Sequence, residues 1–186
     1  MNVVIFNHLL KRIYLYIYIT AKISWTLLDA EPGQTKKKQK NWLPFWDDSK
    51  DTCRLLLSKR FAPLHEVGEF SQWTNPSGSY VSLRTVATAS SPATVPADTF
   101  VRGSAPPVSH PSLKSGLKIG CIHVKGKHKI YRHALYIVEA SFPYKIVSFS
   151  SLFTFHPLRN IEFVMSLYVT SNGALQVLVD EHFNVI

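Results

Sequence analysis

Cysteine is nearly missing from this chain: Cys53 and Cys121 are the two in 186 residues. They permit one bridge at most and exclude a disulfide framework. Cys121 follows Ile119-Gly120 inside an apolar run, which predicts a buried and unreactive thiol. No Cys-x-x-Cys or Cys/His metal spacing occurs. His123, His128 and His133 are separated by a turn at Gly126, with no carboxylate or cysteine to complete a ligand set, so no metal site is assigned.

Acid is the second scarcity. Twelve Asp and Glu stand against 21 Lys and Arg, a formal charge of +9. Between Phe100 and His156 the only acid is Glu139, while Arg102, Lys114, Lys118, Lys125, Lys127, Lys129, Arg132 and Lys145 are all basic. Such a balance suits anionic partners without choosing among nucleic acid, a phosphorylated ligand and an acidic membrane.

Long hydrophobic runs are absent too. The stretch Ile13 to Thr20 is apolar and aromatic but is interrupted by Lys22, well short of the roughly 20 apolar residues of a membrane span. With Lys11-Arg12 before it, the stretch resembles the basic and hydrophobic regions of a signal peptide, although no small-x-small cleavage site stands near Ala30. Acting as a signal it would send the chain to the secretory pathway; otherwise the cytoplasm is expected. Residues 1–34 are therefore read as a leader or appendage outside the core, and residues 35–186 as the folded part. Also missing are a phosphate loop with Gly-Lys-Ser/Thr, a Gly-x-Gly-x-x-Gly fingerprint and a Gly-x-Ser-x-Gly elbow. No cofactor is expected.

What is present is a chain built to fold, with 46% hydrophobic and 18% charged residues. Short segments rich in β-branched, aromatic and leucine side chains predict strands over 54–58, 80–84, 117–124, 131–138, 144–149, 161–169 and 175–179. Asn75-Pro76-Ser77-Gly78, Lys125-Gly126-Lys127 and Ser171-Asn172-Gly173 supply the residues that tight reversals need. The Lys36-Lys37-Lys38-Gln39-Lys40 run reads as a linker, and Thr85 to Pro96 as a loop because Pro92 and Pro96 exclude a central strand. The class is all-β and antiparallel: a sandwich, a barrel or propeller blades.

Several motifs bear on that choice. Lys40-Asn41-Trp42-Leu43-Pro44-Phe45 is followed by Arg54-Leu55-Leu56-Leu57-Ser58-Lys59-Arg60, then by Gly103-Ser104-Ala105-Pro106-Pro107, Ile119-Gly120-Cys121-Ile122-His123, Tyr131-Arg132-His133-Ala134-Leu135 and Ile161-Glu162-Phe163. In order and spacing, over about three quarters of the chain, these resemble the five-bladed β-propellers of the β-mannoside phosphorylases and their glycosyltransferase-like and glycosidase-like relatives. The resemblance implies antiparallel blades of an incomplete β-propeller, smaller than the family's five-bladed ring.

It also implies a ligand. Innermost strands of a propeller line its central channel, so Lys40, Arg60 or Arg102, and His123 are expected to hold phosphate or a sugar phosphate through charge-assisted hydrogen bonds. Glu162 is expected to accept from a sugar hydroxyl. Two departures concern catalysis. The family's general acid resembles an aspartate from a blade preceding the Lys-Asn strand, whereas Asp29 lacks the surrounding pattern, and Gln39 stands where the family usually has glutamate. The expectation is a truncated relative of a glycoside phosphorylase or glycosyltransferase, inactive alone, with no catalytic residue assigned. A noncatalytic glycan-binding or interaction fragment ranks second and a basic nucleic-acid-binding protein third. Open sheet edges predict self-association.

Overall fold

A computed structural model of the chain describes residues 4–7, 14–19, 22–29, 42–47, 54–75, 78–92, 100–126, 130–156 and 162–180. All regular structure among them is strand. In chain order these are β1 (Val4–Asn7), β2 (Tyr14–Ile19), β3 (Lys22–Asp29), β4 (Leu43–Asp47), β5 (Arg54–Arg60), β6 (Leu64–Asn75), β7 (Gly78–Ser90), β8 (Phe100–Ser109), β9 (Leu117–Lys125), β10 (Tyr131–Glu139), β11 (Ile146–Phe149), β12 (Phe163–Val169) and β13 (Leu175–Asp180). Among the described residues no helix is long and apolar enough to cross a membrane.

The strands form three sheets, ordered β1-β2-β3-β7-β6-β5-β4, β11-β10-β9-β8 and β12-β13. From β4 onward each strand pairs antiparallel with the next one inside its own sheet, so β4 to β7 and β8 to β11 are successive four-stranded meanders. Nothing among the described residues joins the three sheets edge to edge into a closed ring. The segment expected to stand apart as a leader carries β1 to β3, and β3 meets β7 in a short parallel pairing, Leu28 opposite Val81 and Asp29 opposite Ser82.

Turn chemistry accounts for the reversals. β6 and β7 meet at Asn75 opposite Gly78, where the Asn-Pro-Ser-Gly turn is expected. Between β12 and β13, Gly173 takes φ +80°, a value open to glycine without steric cost, and its N–H donates to the Thr170 carbonyl at 2.9 Å. One expectation is corrected: Thr85 to Ser90 is not loop but the second half of β7. Thr85, Val86 and Thr88 are β-branched, Ala87 is small enough to pack into the core opposite Val67, and Pro92 falls beyond the strand end.

β8 contains Pro106 and Pro107, which a central strand would exclude. It is the edge of its sheet, and its register against β9 slips between Gly103 and Ala105 and again between Ala105 and Val108. Edge position and bulges are where a sheet tolerates residues without an N–H.

The second sheet is covered on both faces. Toward the first sheet, Ile122 and Val124 of β9 and Ala134, Tyr136 and Val138 of β10 pack with Leu43, Phe45, Leu56, Phe61, Val67 and Ala87. Toward β12, Ala105 and Cys121 pack with Val164 and Leu167. This sandwiching explains why β9 is buried almost continuously rather than on alternate residues. Its Gly120 is dictated by the neighbour: a Cβ there would lie 2.6 Å from the hydroxyl of Tyr136, the residue directly opposite.

Candidate functional site

Antiparallel pairing places directly opposed residues on one face of a sheet. In the second sheet Arg102 of β8 opposes His123 of β9, His123 opposes His133 of β10, and His133 forms an isolated bridge with Phe153. A row of one cation-bearing and two imidazole side chains therefore crosses the sheet on the face turned toward β12. The chain enters β12 through Glu162 and Phe163, which close over this row.

Each member has defined neighbours. His123 Nδ1 and Ser104 Oγ lie 2.8 Å apart, a hydrogen bond whose donor depends on the imidazole tautomer. Its ring lies 5.3 Å from that of Tyr131 and 5.6 Å, edge-on, from that of Phe163. His133 packs against the Phe153 and Phe155 rings, which also touch each other edge-on, with Nε2 3.6 Å from Glu162 Oε2. Glu162 is itself buried and accepts the N–H of Phe155 at 2.9 Å and that of His156 on its other oxygen. Two backbone donors satisfy a buried carboxylate and fix the segment between β11 and β12.

Burial sets the protonation states. It lowers the His123 pKa to about 3, helped by the nearby His133 and Arg102. Burial also lowers His133, against the upward pull of the Glu162 carboxylate and the Ile122 carbonyl. Both imidazoles are consequently neutral near pH 7. Cys121 is fully buried as expected, and burial pushes its thiol pKa up to about 12. The row is a sequestered polar seam. A base held near 3 is a weak proton acceptor at neutral pH, so its chemistry is hydrogen bonding and charge placement rather than proton abstraction.

A third buried histidine marks the other seam. His65 Nδ1 donates to the Tyr144 carbonyl at 2.7 Å, which leaves Nε2 to accept from the Ser58 hydroxyl at 2.9 Å. Burial lowers its pKa to about 4, opposed by the Tyr144 carbonyl.

Of the residues singled out from the sequence, Arg102, His123 and Glu162 lie on, or face, one side of the second sheet. Arg60 ends β5 in the first sheet, exposed and paired with Glu66 at 2.8 Å. Lys40 lies outside the described residues. Ser104 and the pairing role of His133 were not foreseen, although arms of five residues on either side of position 128 place His133 opposite His123. Among the described residues no group of three His, Cys, Asp or Glu is arranged to hold a metal ion. Compared with protein-family models and with curated proteins, the chain matches none.

Proposed function

We propose that this chain is a partial relative of the carbohydrate-active five-bladed propellers, with ligand contacts for a sugar or sugar phosphate and no turnover of its own. The observation that carries the reading is the stacking of successive antiparallel sheets through their first strands. β8 packs against β4 on one side and β12 on the other, the arrangement in which inner strands of neighbouring blades adjoin. Arg102 lies near the start of β8 and Glu162 just before β12, the first opposite His123 and the second beside His133, so a cation and a carboxylate stand at the two ends of one row.

The alternative of a noncatalytic glycan-binding fragment draws on the protonation states. A neutral, buried His123 and a carboxylate committed to two backbone N–H groups suit holding a ligand or the fold better than acid–base work. The two readings share a ligand class and the absence of turnover, and differ in evolutionary origin.

The test is calorimetric titration of the purified full chain with mannose 1-phosphate, inorganic phosphate and mannobiose, alongside an assay of phosphate release and consumption on β-mannosides. Weak binding of a sugar phosphate, lost in Arg102→Ala, with no turnover is expected. Turnover by a monodisperse monomer would overturn the first reading, and absence of binding to all three ligands would overturn both. Sedimentation of the same sample reads the proposed self-association through open strand edges.

A further inference from the structure

A strand covered on both faces is apolar almost without interruption, as β9 is, whereas a strand covered on one face alternates. β12 and β13 carry the first pattern, in Val164-Met165-Ser166-Leu167-Tyr168-Val169 and Leu175-Gln176-Val177-Leu178-Val179. Their cover is nevertheless one-sided. Val164 and Leu167, with Leu175 and Val177 beside them, pack with Ala105 and Cys121 of the second sheet. The opposite face holds the pairs Ser166–Leu178 and Tyr168–Gln176, and the Tyr168 hydroxyl donates to Gln176 Oε1. Met165 joins this face as the extra residue of a bulge between Val164 and Ser166. Met165, Tyr168 and Leu178 are 55%, 51% and 57% exposed there, an apolar surface with nothing from the chain over it.

Charge singles out the same face. All 21 Lys and Arg stand at or before position 159, so a chain of net charge +9 places no cation on this hairpin. Two copies repel over most of their surfaces. They can approach here with their basic parts turned away, screened beyond about 8 Å at physiological salt. The other end of the stack is already closed. Leu56 and Leu57 are neighbours on β5 and point to opposite faces of the first sheet. Both are fully buried, and Leu56 packs toward the second sheet, so the far face of the first sheet is covered within the chain. The hairpin is left to meet its own like rather than the first sheet of another copy.

We propose that the outer face of β12–β13 is a dimer face, two copies meeting hairpin on hairpin about a two-fold axis. Each copy presents Met165, Tyr168 and Leu178 to the same three side chains of the other. The contact continues the face-to-face packing that joins the three sheets within one chain. A two-stranded face of this length offers roughly 20 Å by 10 Å, well below the about 800 Å² per partner of a standard interface. The dimer is therefore weak and reversible. The inference is independent of the carbohydrate reading and of pairing through open strand edges.

Analytical ultracentrifugation of the full chain tests it, from about 5 to about 500 μM, a range that spans contacts of this strength. A reversible monomer–dimer equilibrium with no larger species is expected. It should tighten as salt rises from about 0.05 to about 0.5 M, because like-charge repulsion is screened. Leu178→Ala should weaken it by about tenfold, since the side chain is lost from both copies, and Leu178→Lys should leave monomers at every concentration. A wild type that stays monomeric overturns the proposal and leaves the face to a foreign partner. Dimers that survive Leu178→Lys, open-ended growth, or association that weakens with salt also overturn it, because the contact then runs through strand edges or the basic surface. Leu178 is exposed, so both variants are expected to fold; should Leu178→Lys fail to, Met165→Lys is read in the same way.

Discussion

Tyr144 donates its hydroxyl hydrogen to Asp47 Oδ2 at 2.6 Å, across the buried seam between the first and second sheets. The same residue accepts the His65 Nδ1–H on its carbonyl and packs edge-on against Phe45, with ring centroids 5.5 Å apart. Its φ of +58° is a left-handed value that a non-glycine residue adopts only when its surroundings over-determine it. The hydrogen bonds and the aromatic contact from two strands of the first sheet, β4 and β6, supply that determination.

Tyr144→Phe keeps the ring and removes the donor. It is expected to cost about 1.5–3 kcal/mol, the range for a hydrogen bond to a charged group, measured as a lower urea midpoint at unchanged slope. A midpoint equal to wild type would show that the Asp47 contact is energetically idle.

Tyr136 should behave in the opposite way. Its hydroxyl is buried without a hydrogen-bond partner among the described residues. Tyr136→Phe removes that orphan and is expected to raise stability by about 1–2 kcal/mol, read from chemical denaturation. Gly120→Ala, which drives a methyl into the same ring, is expected to lower it by about 1–3 kcal/mol.

Acid should weaken the whole fold. The unfolded chain protonates its imidazoles near 6.5, whereas the folded chain resists until about 4 at His65 and about 3 at His123. The unfolded state thus binds more protons throughout that interval. The stability these groups contribute is complete above pH 6.5 and falls as the pH drops toward 4 and 3, by about 1.4 kcal/mol per unit for each histidine. Urea midpoints at a series of pH values check the sign: a midpoint that rises on acidification from 6.5 to 5 contradicts the buried-neutral assignment.

Surface and core should separate cleanly. Leu56→Ala, at a fully buried position, is expected to cost about 2–5 kcal/mol. Arg60→Ala breaks an ion pair whose arginine side chain is 55% exposed, and about 0–1 kcal/mol is expected. Parallel urea titrations compare the two.

Much of the strand pattern was legible because β-branched and aromatic runs alternate with Gly-, Asn- and Pro-containing reversals. β6 was not foreseen: Glu66, Glu69 and Gln72 interrupt its apolar residues, and its pairing with both β5 and β7 is what makes it a strand. The end of β7 was read as loop because composition outweighed β-branching there. At the candidate site the residue types were visible, but their relations were not. The bonds from Tyr144 to His65 and Asp47 span 79 and 97 residues, and no local spacing encodes such contacts. Burial of His123 depends on β12 arriving 40 residues later to cover it.

Pro106 and Pro107 have a consequence for how the chain is partitioned. A strand approaching the outer side of β8 would find a position with no hydrogen to offer, since one of two adjacent prolines stands where an outward N–H is needed, and a backbone twisted by two register slips. Lateral growth of the second sheet is thereby terminated at β8. The next segment, β12, lies against β8 and β9 face to face instead of zipping onto their edge. Two adjacent imino acids thus act as a stop signal, converting what could have been one broad ribbon into separate leaves, and they bar foreign strands from the same margin.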